Sequence, residues 1–295
     1  MLPKTDCIIW LTVTLAVAIA TVTLNFITII VFRKYRNFCN RSAYLLINLA
    51  VADMLVGGFC TINEFYFYGW FCNSWRSSWP YYMSLIRLAV YYTFLISSLT
   101  NISVISLERL HATLWPFKHR VLKLWIYKII ITFVWILGGS FSLVNVALIN
   151  FGKWSGFFYF WNSFNAFCLL IILFSYALIF FKVYFGPQVL HRDAAGREGK
   201  LTVTLFIVII LSLALWLPYI VNICFSYSTD YVTSLPGFTY FHLKSSFILF
   251  FHTDSLVNPI LYVIRIPGFR RAVIALFKSR RRRQRQIQVF PLREV

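Results

Sequence analysis

The stretch Asp254-Ser255-Leu256-Val257-Asn258-Pro259-Ile260-Leu261-Tyr262 sets a carboxylate, an amide, a proline and a phenol inside an apolar run. Asp254, Asn258 and Tyr262 are spaced i, i+4, i+8, so on a helix they share one face over about 12 Å. Polar groups at membrane depth are costly and normally face a protein interior or a water-filled cavity. Pro259 removes a backbone hydrogen bond, which a spanning helix tolerates where neighbours or water satisfy the freed carbonyl. The combination predicts a wet, deformable face. Asp53, in Asn48-Leu-Ala-Val-Ala-Asp53, lies deep in a second apolar run. Its default uses there are an ion site, a proton relay or an interhelical partner. Glu64, eleven residues further on, either lines a pocket or snorkels to the outer surface. Glu108-Arg109-Leu110 closes a third run with adjacent opposite charges, in a pattern that fits a solvated pair as well as a switch.

The elements that carry these residues follow from composition. The hydrophobic share is 60% and the aromatic share 20% of 295 residues, far outside the soluble range. Apolar runs at about 8–32, 43–67, 81–107, 125–149, 157–185, 201–225 and 238–264 each reach or exceed the ~20 residues of a membrane-crossing helix. Lys4 and Ala16-Val17-Ala18 imitate a cleavable signal, but the first run continues past any such site and is read as an uncleaved span. Seven crossings put the two ends on opposite sides. The net charge of +19 is concentrated between the runs rather than spread as a nucleic-acid-binding surface. Arg33, Lys34, Arg36, Arg41, Lys118, Arg120, Lys123, Arg192, Arg197, Lys200 and the Arg280–Arg283 tail share one side; Lys4, Arg76, Arg87, Lys153 and Lys244 share the other. The positive-inside rule then places the N-terminus outside and the C-terminus in the cytoplasm. The expected fold class is an all-α membrane protein, a single seven-transmembrane helix bundle spanning 1–295.

Asn25, the Leu-Ala-Val-Ala-Asp53 motif, Glu108-Arg109-Leu110, Trp135, Trp216-Leu217-Pro218 and Asn258-Pro259-Ile-Leu-Tyr262 occur in this order along the chain. The chain resembles rhodopsin-like (class A) G-protein-coupled receptors over nearly its whole length. Phe269-Arg270-Arg271 resembles the start of that family's short amphipathic eighth helix, here 267–278, followed by a basic tail at 279–295. The resemblance implies a plasma-membrane receptor that binds an extracellular or membrane-derived ligand and activates heterotrimeric G proteins by opening helix six. It implies no enzymatic activity. It assigns Arg109 to G-protein engagement, with Glu108 and Glu198 as resting partners. Trp216 and Pro218 stand as the aromatic switch and kink of the sixth helix, and Tyr176 and Tyr262 as tyrosines that swing inward. It also implies a sodium site at Asp53, Ser98, Ser255 and Asn258. Asp254 stands where Asn is commoner in the family. Two carboxylates on one cavity both ionise only around a cation; otherwise they share a proton.

Other departures bear on the ligand. Ser84 replaces the third-helix cysteine twenty-five residues before Arg109, and the connection from Asn150 to Gly156 has no cysteine. The family's usual outer disulfide is therefore not expected. Cys7, Cys72 and Cys224 remain as candidates on the oxidising side, with their pairing open. These losses resemble the melanocortin, cannabinoid and lysophospholipid branch. Tyr91 stands eighteen residues before Arg109, where amine receptors have an aspartate, and His252 where opsins have the retinal-binding lysine. A protonated amine and retinal are both disfavoured. Glu64, Arg87, Tyr91, Trp216 and His252 form the expected pocket. Arg87 suits an amphiphile with an anionic head or snorkels outward, while Glu64 suits a basic peptide. The tail beyond Lys278 is suited to anionic lipids of the inner leaflet. The competing reading is a secondary transporter or a proton- or ion-sensing membrane protein built on the Asp53/Asp254 pair, although no inverted repeat is visible.

Overall fold

The computed structural model describes residues 4–35, 41–72, 80–185, 210–211, 214–217, 236–265 and 268–278. Its long helices are α1 (Lys4–Lys34), α2 (Ala43–Phe71), α3 (Tyr81–Leu114), α4 (Leu124–Asn150), α5 (Trp154–Phe185) and α7 (Gly237–Arg265). All six are long and apolar enough to cross a membrane. The sixth crossing, α6, is described only at 210–211 and 214–217, and α8 covers 268–278. Glu198, Pro218, Cys224 and the basic tail lie outside the described residues. The helices outrun the apolar runs read from the sequence. At ~1.5 Å per residue, the 34 residues of α3 extend about 51 Å, well beyond a ~30 Å hydrocarbon core. Glu108 and Arg109 lie in its last two turns.

Polarity is arranged for lipid rather than water. Phe26, Phe133, Ile136, Leu170 and Phe174 are exposed, whereas Asn25, Asp53, Asn101, Ser106 and Asn258 are buried. Lipid tails cover the former at no cost, and the latter must find partners inside the bundle. α3 sits at the centre, against α2, α4 and α5, while α7 packs on α1 and α2. α4 approaches α3 closely at Gly138, where an added Cβ would run into the Ser97 hydroxyl and lie 3.1 Å from the Thr93 carbonyl. Only glycine leaves that space.

The link between α4 and α5 is three residues. Gly152 adopts φ 67° just after the last turn of α4, and Gly152 N–H and Lys153 N–H close back on the carbonyls of Ile149 and Leu148 at 3.0 and 2.8 Å. A left-handed glycine that caps a helix in this way lets the chain reverse at once. Pro116 opens a short helix, Pro116–Val121, between α3 and α4, where its missing N–H costs nothing.

Candidate functional site

Asp53 is fully buried on α2. Its Oδ1 accepts from Ser98 Oγ of α3 at 2.6 Å and from Ser255 Oγ of α7 at 3.0 Å. Its Oδ2 accepts from Asn258 Nδ2 at 2.9 Å. One carboxylate thus joins three helices. Asn25 of α1 extends the network by donating to the Ser255 carbonyl at 3.0 Å, so its role is interhelical. One level away, Trp135 donates to Asn48 at 2.9 Å, and Asn48 donates to Asn101 at 2.6 Å. This second bridge ties α4, α2 and α3 beside the first.

Asp254 lies on the same helix as Ser255 and Asn258, interacts electrostatically with Asp53, and accepts the Trp216 indole N–H at 2.9 Å. The aromatic of α6 is therefore held by a carboxylate of α7. Trp216 also packs on Phe251, with ring centroids 4.5 Å apart. Pro259 sits inside α7 between Asn258 and Tyr262, so the wet face and the break in the ladder coincide. The groups around Asp53 are hard oxygen donors suited to an alkali or alkaline-earth cation. Asn258 Oδ1 is buried and accepts no hydrogen bond, leaving an acceptor free for a cation.

At the end of the bundle where α3 closes, Glu108 is a hub. Its Oε1 accepts from Ser42 Oγ at 2.6 Å, faces His119 Nε2 at 2.7 Å and accepts from Tyr127 Oη at 3.3 Å. Its Oε2 lies 3.0 Å from Arg109 Nε, an ion pair without hydrogen-bond alignment. α2, α3, α4 and the short helix Pro116–Val121 are all fastened to this one carboxylate. Arg41 adds bonds to the carbonyls of Arg120 and Leu122. The Tyr176 and Tyr262 hydroxyls both lie within electrostatic reach of Arg109. Tyr262 packs on Phe32 and Phe269, which seats α8 against α1 and α7. No sequence motif marks His119, Tyr127 or Ser42, which come from a short connecting helix, α4 and the turn before α2.

In the half of the bundle opposite Glu108, Glu64 is 1% exposed, which excludes snorkelling. Its Oε1 lies 3.5 Å from His252 Nε2 and 3.4 Å from the donor Asn63 Nδ2, while Oε2 has no hydrogen-bond partner. Arg87 does not snorkel either: it turns to α2, donating to Asn63 Oδ1 and lying over the Tyr66 ring at 5.1 Å. Tyr91 stacks edge-on against Tyr92 at 5.3 Å, and Tyr92 in turn meets Trp161 of α5. Glu64, Arg87 and His252 thus gather along α2, with Tyr91 on the α3 side. The pairing left open among Cys7, Cys72 and Cys224 is resolved: Cys7 and Cys72 form a disulfide with Cα atoms 6.4 Å apart, joining the start of α1 to the end of α2.

Residues 24–262 match the family model for the 7 transmembrane receptor (rhodopsin family). Neuromedin-U receptor 2 of Mus musculus is 23% identical over 290 residues, covering 84% of this chain and 70% of that protein. Six membrane-length helices, a charged pair closing α3, and a polar core joining α2, α3 and α7 accompany that match. The chain belongs to the rhodopsin family of seven-transmembrane receptors and is a G-protein-coupled receptor, a signalling protein rather than an enzyme.

Proposed function

We propose that this receptor switches by releasing two latches, Asp254 on Trp216 in the polar core and Glu108 on Arg109 at the cytoplasmic end. The carrying observation is that one buried network reaches from the α6 tryptophan through α7 to α2 and α3. A ligand that displaces Trp216 changes the environment of Asp254 directly. Through α7 it shifts the partners of Asp53. Such a ligand need contribute only its differential affinity for the two arrangements. Asp53, Ser98, Asp254, Ser255 and Asn258 would hold a sodium ion in the resting arrangement, where its charge lets both carboxylates remain ionised. The N-terminus is extracellular and the C-terminus cytoplasmic, in the plasma membrane, with the basic tail on anionic lipid. Family membership favours this reading over a transporter built on the Asp53/Asp254 pair.

For the ligand, the outer pocket supports a molecule with a cationic group, such as a basic peptide, over an anionic amphiphile. Arg87 is engaged by Asn63 and Tyr66, whereas a buried oxygen of Glu64 has no hydrogen-bond donor. A buried acceptor without a donor costs roughly 1–3 kcal/mol, which a guanidinium or ammonium would recover. The mouse relative is named for neuromedin-U, and that ligand belongs in the first screen. The test is nucleotide exchange on a panel of G proteins by the reconstituted receptor, challenged with basic peptides, anionic lipids and small metabolites. Exchange without ion or solute flux, lost in Glu64→Gln and kept in Arg87→Ala, is expected; flux or the reverse pattern would overturn the reading.

A further inference from the structure

The outer junction of α1 and α7 holds a titratable cluster that the switch above does not use. Trp10 Nε1 donates to His242 Nδ1 at 3.0 Å. An indole N–H can only donate, so Nδ1 accepts, and the neutral imidazole carries its proton on Nε2. Nε2 points toward Asp6 Oδ2 at 3.5 Å without a hydrogen bond. Phe238 and Phe241 flank the imidazole ring. Asp6 lies next to Cys7, whose disulfide to Cys72 clips α1 to α2. The α1 half of the junction is therefore anchored, and His242 is the α7 half.

We propose that His242 is a binding site for an extracellular proton, which exchanges the α1–α7 contact from Trp10 to Asp6. Protonation at Nδ1 removes the lone pair that accepts the indole, leaving two N–H donors face to face. It also places a positive charge against the Asp6 carboxylate. The neutral hydrogen bond breaks and an ion pair forms. Imidazole is the side chain whose charge ordinarily changes between about pH 5 and 8. Among the described residues, Tyr68 and Lys244 are further ionisable groups at the junction. Tyr68 of α2 packs on Phe241. The Lys244 ammonium is turned away over the Phe67 and Tyr240 rings at 4.6 and 5.6 Å. Asp6 is the acidic partner in reach. α7 also carries Asp254 and Asn258, so the exchange acts on the helix that holds the polar core.

The test is thermal unfolding of the full-length receptor in lipid nanodiscs at about pH 8 and about pH 5.5, spanning the ordinary imidazole range. Trp10→Phe is expected to lower Tm by about 1–3 °C at the higher pH and to have no effect at the lower. Asp6→Asn is expected to do the opposite. In double-mutant cycles with His242→Phe, the Trp10 coupling should be confined to high pH and the Asp6 coupling to low pH. Because each single variant is read on its own, failure of one to fold leaves the other decisive. Equal penalties at both pH values would overturn the proposal. Access from outside rests on the orientation proposed above. Nanodiscs bathe both faces, so the cycles test the site itself, whereas antibody access to an N-terminal tag on intact cells tests the orientation.

Discussion

Trp216 of α6 donates its indole N–H to Asp254 of α7 at 2.9 Å, so the aromatic of α6 is tied to a side chain able to carry charge. Hydrogen bonds to ionised acceptors are shorter and about twice as strong as neutral ones. With Asn, the commoner residue of the family, the same bond would be neutral. In the proposed switch, the carboxylate at this position makes the resting arrangement depend on the local charge balance.

Asp254→Asn keeps an acceptor for the indole but removes the charge. The loss of about 1 kcal/mol of differential stabilisation corresponds to about a fivefold rise in ligand-independent activation. Nucleotide exchange at matched surface expression is the measurement. Unchanged basal exchange together with unchanged sodium dependence would remove Asp254 from the switch.

Glu108→Gln strips the hub of its charge while preserving one acceptor oxygen. Ser42, His119, Tyr127 and Arg109 all face that carboxylate. A cost of roughly 1–3 kcal/mol is expected, seen as a lower Tm together with raised basal exchange. Glu198→Ala, affecting only the second proposed partner of Arg109, should raise basal exchange with little change in Tm. A fall in Tm without any change in exchange for Glu108→Gln would make the hub structural only.

The Cys7–Cys72 disulfide bridges a sequence separation of 65 residues. Its removal by Cys7→Ser, Cys72→Ser or both should cost about 2–4 kcal/mol of stability. The three variants should show the same loss, and reductant should reproduce it on the wild type. Unequal losses would point to a different pairing.

Gly138→Ala should destabilise the α3–α4 contact by about 1–3 kcal/mol, because a Cβ there meets Ser97 and the Thr93 carbonyl. Combining it with Ser97→Ala should recover part of that loss. No recovery would mean that the carbonyl, not the hydroxyl, limits the approach.

Much of the polar core was legible in the sequence. Asp254, Asn258 and Tyr262 show their shared face through helical spacing alone, and the order of motifs pointed to Asp53 and Ser98 as neighbours. Helix periodicity carries that information because lipid leaves no other way to satisfy the backbone. The Glu108 hub was less legible: Ser42, His119 and Tyr127 come from a helix end, a loop helix and the next crossing, whose meeting depends on loop geometry. The contact of Arg87 was not legible: it reaches sideways to Asn63, a neighbour that helix spacing along one chain segment does not reveal. Glu64 lies below the surface that its sequence position allowed.

Distances between spin labels at the cytoplasmic ends of the third and sixth helices, measured in nanodiscs with and without sodium, test the two-latch switch most directly. Sodium should draw the wild type toward the shorter distance, and Asp254→Asn should populate the longer one without ligand. Asp53→Asn should abolish the sodium response. Distance distributions indifferent to sodium and to both substitutions would contradict the switch.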